Sequence, residues 1–389
     1  TYAKTIIICY EYLRHKKYDF YMKFSVNREA LISPLALVAS VVERRQTLPV
    51  LANILCVVKE GQLTLTATDQ EVELSVSIAE LTNVVSGEVT VPAQKLFDIC
   101  RSLPGQAFVD VALEGTRFSL QSGRFKSYLA TLPAIDFPKV ELDSAAMQLD
   151  VTVTELRELL ESTGFAMALQ DVRYFFNGML LEFGDGVLRV VATNGQRLAI
   201  AERALEQQEL EVKQYIVPRK GVLELSKLLK DIKDESVSLL MSPNHLSVVG
   251  ASANFTTKLI DGIYPDYTGA IPVGSDKILL LDRLELKDTL SRIAILSNEM
   301  YRNVKLCLSK GELKLKANNP MQEEAEEVVS VDYEGEDLEI GFNVSYLLDV
   351  LQKMSGTKVR LELSDHNSPV LMTNPEDDQS RFVVSPMML

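Results

Sequence analysis

Apolar and polar residues alternate around a short glycine turn in three stretches of the chain: NILCVVKEGQLTLTATD (53–69), GMLLEFGDGVLRVVATN (178–194) and VKLCLSKGELKLKANN (304–319). Period-two alternation about such a turn predicts a β-hairpin with one buried face. The second arms read as one phrase: Gly61, Gly186 and Gly311 lead them, Leu63, Leu188 and Leu313 follow, then Ala67, Ala192 and Ala317, at a constant spacing of 125 residues. A fixed period of this kind is the signature of tandem duplication.

The pattern around each hairpin also recurs. Upstream stand NREALISPLALVASVV, TVTELRELLESTGFAMA and DRLELKDTLSRIAILSNE; downstream stand TVPAQKLFDICRSL (90–103), YIVPRKGVLELSKLLKDI (215–232) and EIGFNVSYLLDVLQKM (339–354). Each has helical spacing, and Pro92, Pro218 and Asn343 suit helix starts, proline at the first helical position and asparagine as a cap. In the second of the downstream helices, Val222, Leu225, Leu229 and Ile232 form an apolar stripe, with Lys220, Lys227 and Lys230 on the other side. A second hairpin follows, clearest in VDVALEGTRFSLQSG and VSLLMSPNHLSVVGA. Each repeat thus reads helix, strands, helix, strands. The expected fold class is α+β: three tandem repeats of a two-helix, antiparallel-sheet domain at 22–146, 147–274 and 275–389, with residues 1–21 outside the fold as an upstream extension or a misassigned start.

The length of 389 residues agrees with about three domains. No apolar run approaches a membrane span, and the first residues lack the cleavage site of a signal peptide. Cysteines 9, 56, 100 and 307 form no CxxC pair, and the histidines at 15, 245 and 366 are far apart, so neither a metal site nor a disulfide framework is expected. No cofactor and no catalytic motif is read. A reducing cytoplasm is the expected compartment. The net charge of −14 argues by itself against nucleic acid, since phosphate binding normally leaves a basic footprint.

Positions where one repeat departs from its siblings are candidates for function. After the shared phrase the copies read DQEVEL, NGQRLAI and NPMQEEAEE. Only the middle one offers Gly195, Arg197 and Leu198 together; the bland reading makes Asn194-Gly195 a turn and Arg197 a solvated strand residue. The end, RFVVSPMML, is apolar where a terminus is usually polar, so Val383, Val384, Met387 and Leu389 must rest against something. Met-rich surfaces are suited to accepting varied partners.

MKFSVNREAL, TLPVLANIL, TVPAQKLFDICRSLP, QDVRYFFNGML, VATNGQRLA, VPRKGV, KLIDGIYPDY, AILSNE, NNPMQEEAEE, IGFNVSYLLDVL and SPMML together resemble the bacterial sliding clamp family, the beta subunit of DNA polymerase III, over residues 22–389. The resemblance implies a non-enzymatic processivity factor: a head-to-tail homodimer closed into a ring, helices lining a hole for duplex DNA, loaded by a clamp loader complex. It would tether the DNA polymerase III catalytic subunit, and other polymerases and repair proteins carrying clamp-binding peptides, at replication sites on the nucleoid. Such a ring holds DNA by topology, which meets the charge objection. By matching position, Arg45, Gln170, Arg173, Tyr174, Tyr301 and Arg302 correspond to the duplex-contacting group. Phe176, Thr193, Gly195, Arg197, Leu198, Pro265, Asn343, Tyr346, Val383, Pro386, Met387 and Leu389 correspond to the cleft for partner peptides. Arg124, Lys126 and Tyr128 would meet Ile295 and Leu296 of a second subunit. Leu169 and Gln94 stand where relatives often carry histidine and arginine. Two other readings remain open on the residues: a peptide-binding scaffold that does not encircle DNA, and a hydrolase using Asp69, Asp171 or Asp266.

Overall fold

The computed structural model describes residues 22–43, 48–140, 147–205 and 212–388. Arg45, Leu389 and residues 1–21 therefore lie outside the described residues. Among the described residues are six α-helices: α1 Arg28–Val41, α2 Ala93–Ser102, α3 Val153–Thr163, α4 Arg219–Asp231, α5 Arg283–Ala294 and α6 Val344–Lys353. They fall two to a repeat, at the places the apolar spacing predicts. No helix among them is long and apolar enough to cross a membrane.

The three predicted hairpins form in register. Leu55 faces Thr66, Leu181 faces Val190 and Leu306 faces Leu315. Gly61 and Gly186 sit at φ +80° and +70° after Glu60 and Asp185, which are also left-handed. Two consecutive positive-φ residues give the turn whose twist matches a right-twisted hairpin, and glycine adopts it without a Cβ clash. Each repeat also opens with a short strand that the helix and hairpin pattern did not announce: Lys23–Asn27, Met147–Thr152 and Lys277–Asp282. At five or six residues each, these are too short for alternation to stand out in sequence, and pairing to distant strands makes them.

The helix starts follow the side chains available. Asn27, Asp282 and Asn343 cap α1, α5 and α6, accepting hydrogen bonds from backbone N–H groups of the first turn. Pro92 and Pro218 do not occupy the first helical position as expected; each ends the preceding strand, one residue before α2 and α4. The strand needs no N–H at its last residue, so proline costs nothing there. At the opposite ends, Arg28 donates to the carbonyls of Cys100 and Arg101, and Arg283 to those of Leu351 and Gly356. In the first and third repeats an arginine at the start of the first helix thus satisfies carbonyls at the C-terminal end of the second.

The chain divides into two compact units: the described residues up to Val153 with Lys227–Lys258, and Thr154–Ser226 with the described residues from Leu259 on. The first unit holds a five-stranded sheet and an eight-stranded sheet, all antiparallel. In the eight-stranded sheet, Ala253–Lys258 of the second repeat pairs with Val72–Ile78 of the first, Phe255 opposite Leu74. The second unit repeats that joint: Asp377–Val384 of the third repeat pairs with Arg197–Ala204 of the second, Val383 opposite Leu198. Phe24, Phe118 and Phe255 are fully buried in the first unit, Phe183, Phe342 and Phe382 in the second. In α4, Val222, Leu225 and Leu229 are buried, and Lys227 and Lys230 are exposed on the other face.

Candidate functional site

The phrase VATNGQRLA forms a tight turn between strands Val187–Thr193 and Arg197–Ala204. The Thr193 hydroxyl accepts from Gly195 N at 3.0 Å and donates to Arg197 O at 2.7 Å, while Asn194 Oδ1 accepts from Gln196 N and Arg197 N. Gly195 is at φ +86°, and a Cβ there would stand 2.9 Å from the Arg173 guanidinium. The left-handed backbone favours glycine, and a Cβ there would displace the tip of the Arg173 side chain. Asn194-Gly195 is a turn, as the bland reading had it.

Arg197 is not a solvated strand residue. Its side chain is 11 % exposed, ion-paired with Asp349 and donating to the Phe165 carbonyl. The guanidinium lies 5.1 Å from the Phe165 ring centroid and 4.7 Å from that of Tyr346. A planar cation held against two rings still has its edge available for hydrogen bonds. Asn194 Nδ2 donates to the Tyr346 hydroxyl at 3.4 Å, so the turn and α6 are joined twice.

Beside this joint is a cavity of about 280 Å³. Phe176, Thr193, Gly195, Arg197, Leu198, Pro265 and Val383 line it, seven of the residues singled out for the peptide cleft. Its floor is apolar because Leu198 and Val383 face each other across the strand pair, over a cluster that includes Leu180, Ile200 and Ile216. The wall opposite comes from residues 264–272, and here Tyr264, Tyr267 and Ile271 join residues the sequence reading missed. The Tyr267 hydroxyl donates to Glu182 at 3.0 Å, pinning that wall to the sheet; burial pushes its pKa up to about 12. Burial also raises the hydroxyl pKa of Tyr264. A concave apolar site with a few polar groups at its rim suits a short extended peptide carrying apolar anchors.

Asn343, Tyr346, Pro386 and Met387 of the expected cleft group do not line this cavity, and Leu389 lies outside the described residues. Ser385 N donates to Gln196 O at 2.8 Å and Met387 N to Gly341 O at 2.8 Å, so the end of the chain is laid down by main-chain bonds. Met387 lines a second hollow with Asn298, Tyr301 and Asn319. Asn343 caps α6 and reaches the Tyr301 carbonyl at 3.4 Å, while Pro386 is half-buried.

Gln170, Arg173 and Tyr174 share an exposed loop, Gln170 at φ +56°. Arg173 is engaged: it grips Asp171 through two bonds of 3.0 and 2.8 Å, donates to Asn194 O at 3.2 Å and covers the Phe176 ring at 4.6 Å. The hydrogen bonds from Arg173 hold the Asp171 carboxyl down to about 2. Arg173 thus braces the turn of the apolar cavity while presenting its outer edge to solvent. Tyr301 is exposed, and Arg302 at φ +52° reaches Ser345 Oγ at 3.4 Å.

Three family descriptions match the chain end to end beyond residue 21: the DNA polymerase III beta subunit N-terminal domain over residues 22–141, its central domain over 150–266 and its C-terminal domain over 268–388. The chain belongs to the DNA polymerase III beta subunit family. The beta sliding clamp of Pseudomonas putida is 50 % identical over 368 residues, covering 95 % of this chain and 100 % of that protein; that of Escherichia coli K12 is 44 % identical over the same span. The crystal structure of the Pseudomonas aeruginosa sliding clamp bound to griselimycin superposes with a TM-score of 0.92 at 49 % identity, over 95 % of this chain and 100 % of that one.

For a beta subunit, the sheet edges matter as much as the cavity. Arg124, Lys126 and Tyr128 lie on or beside Phe125–Ala130, the outermost strand of the five-stranded sheet. Tyr128 is half-exposed, with Arg117 4.8 Å and Lys126 5.0 Å from its ring centroid. Ile295 ends α5, 76 % exposed, with Leu296 next to it. In the same unit as Ile295, the outermost strand of the four-stranded sheet is Glu324–Ser330, which presents Glu324, Glu326 and Glu327. Its Glu326 is bridged to Lys314 and Lys316 of the neighbouring strand.

Proposed function

We propose that this chain is a DNA polymerase processivity factor: a sliding clamp that encircles duplex DNA and tethers the replicative polymerase through the cavity beside Leu198 and Val383. The cavity carries this reading. Its turn comes from the one repeat whose sequence departs from its siblings, its floor from Leu198 of that repeat and Val383 of the third, and its lining suits apolar peptide anchors. Phe176, Thr193, Gly195, Arg197, Leu198, Pro265, Asn343, Tyr346, Val383, Pro386, Met387 and Leu389 form the peptide cleft in this reading. Partners are the DNA polymerase III catalytic subunit, the clamp loader complex and other polymerases and repair proteins with clamp-binding peptides. The work is done in the cytoplasm, at replication sites on the nucleoid, without catalysis by the clamp and without a cofactor.

Ring closure follows from two unpaired sheet edges of opposite character. One bears Arg124 and Lys126, the other Glu324, Glu326 and Glu327. Joining these edges head to tail between two copies pairs basic with acidic residues and leaves neither strand exposed. Three repeats per chain at 22–146, 147–274 and 275–389 then give six domains and twelve helices around the hole. Arg45, Gln170, Arg173, Tyr174, Tyr301 and Arg302 contact the duplex. Backbone contacts of this type carry no sequence information, which suits a protein that slides.

The deciding experiment measures loader-dependent retention on nicked circular DNA against the same DNA cut once, at salt that screens phosphate contacts. Retention on circles with release after cutting is the expected result. Equal retention on both refutes topological binding, and equal absence with the cavity still binding peptide leaves a scaffold that does not encircle DNA.

A further inference from the structure

The joint that carries the cavity has a twin. In the first unit, strands Gln62–Thr68 and Val72–Ile78 are connected by a turn with the same hydrogen bonds as Thr193–Arg197. Thr68 Oγ1 accepts from Gln70 N at 3.0 Å and donates to Val72 O at 2.9 Å; Asp69 Oδ1 accepts from Glu71 N and Val72 N at 2.9 and 2.8 Å. Gln70 is at φ +75°, where the second turn has Gly195 at +86°. The crossing strand is placed alike as well: Lys258 N donates to Glu71 O at 2.9 Å, as Ser385 N does to Gln196 O at 2.8 Å. A phenylalanine-proline pair, Phe137-Pro138, follows where the second repeat has Tyr264-Pro265, and Phe137 is buried on Val50 and Leu55.

The turn and the crossing strand are therefore built alike twice, and the side chains they carry differ. Where Leu198 faces Val383 in the second joint, Glu73 faces Thr256 in the first. The Glu73 carboxylate also accepts from Val140 N at 3.3 Å, which draws the residues after Phe137-Pro138 onto the strand pair. We infer that Glu73, with Thr256 opposite, confines apolar peptide binding to the second joint, the first being its closed counterpart. The inference rests on the proposed peptide cleft. Seating an apolar anchor on Glu73 would strip a carboxylate of water and of its Val140 bond with nothing in exchange. The partial burial it already has raises its pKa, so that further desolvation works against the charged form.

Calorimetric titration with griselimycin tests this on the whole protein. The native chain should take one equivalent. Glu73→Leu with Thr256→Val should take two, the second weaker, while Leu198→Glu should weaken the native site about 100-fold. One equivalent in the folded double variant overturns the inference and leaves the cleft reading intact, whereas an unweakened Leu198→Glu overturns both, because Leu198 is the floor of the proposed cleft. Should the double variant melt like an unfolded chain, Leu198→Glu, checked by its own thermal melt, decides alone. No binding by the native chain would sink the cleft reading and this inference with it.

Discussion

Removing Arg197 should cost about 4 kcal/mol and loosen the cavity beside it, because one guanidinium is spent on four neighbours. The rings of Tyr346 and Phe165, at 4.7 and 5.1 Å, contribute roughly 1 kcal/mol each to a cation this well covered. The bond to the Phe165 carbonyl, part-buried and charge-assisted, is worth about 2 kcal/mol. Asp349 is 45 % exposed and rehydrates when its partner is lost, so that pair contributes only about 1 kcal/mol. Against these stands Arg197 Nε, buried and without a hydrogen-bond partner among the described residues, whose removal returns about 1 kcal/mol. Urea unfolding of Arg197→Ala measures the loss. A double-mutant cycle with Tyr346→Leu should give a coupling of about 1 kcal/mol, and one with Asp349→Asn about as much. Arg197→Lys keeps the charge but not the plane, and should recover less than half. A loss below about 1 kcal/mol with no coupling would refute the reasoning, since it would mean that the stacked cation holds neither α6 nor the turn.

Two more outcomes are specific. The Asp171 carboxyl, held to about 2 by Arg173, should titrate there in carbon-detected NMR, and Arg173→Ala should return it to about 3.9. Because the folded value is depressed, the pair's contribution is present above the ordinary carboxylate range and fades as pH falls toward 2; a midpoint near 4 in the native chain would contradict the geometry. Gly178→Ala would place a Cβ 2.8 Å from Val217 O and Ile216 Cγ2, and 2.9 Å from Ile260 Cδ1. Backbone cannot retreat as a side-chain tip can, so this change should cost about 2 kcal/mol in a denaturant melt, and a neutral result would mean that strand Gly178–Gly184 shifts freely.

Legibility in the sequence depended on how local the cause was. The three hairpins and six helices were readable because period and turn chemistry lie within about twenty consecutive residues. The opening strands were not, because Lys23–Asn27, Met147–Thr152 and Lys277–Asp282 are defined by partners far along the chain, Lys23 facing Ala112 and Lys277 facing Leu363. Among the residues lining the cavity, Gly195, Arg197 and Leu198 drew notice as departures from the repeat. Tyr267 did not, since nothing in sequence announces that its hydroxyl meets Glu182 across 85 residues. Likewise Arg173 read as a cation for phosphate, whereas Asp171, two residues before it, and Asn194 take much of its hydrogen-bonding capacity.

By itself, then, the sequence determined the period, the fold class, the family and the odd repeat, since each is carried by residue types at fixed spacing. Tertiary structure decided which side chains met: that Arg197 packs on Phe165 and Tyr346 and is not solvated, and that Leu198 faces Val383 where Glu73 faces Thr256. Strands of different repeats pair through backbone groups common to all residues, so the register that brings those side chains together is written in no short stretch of the chain.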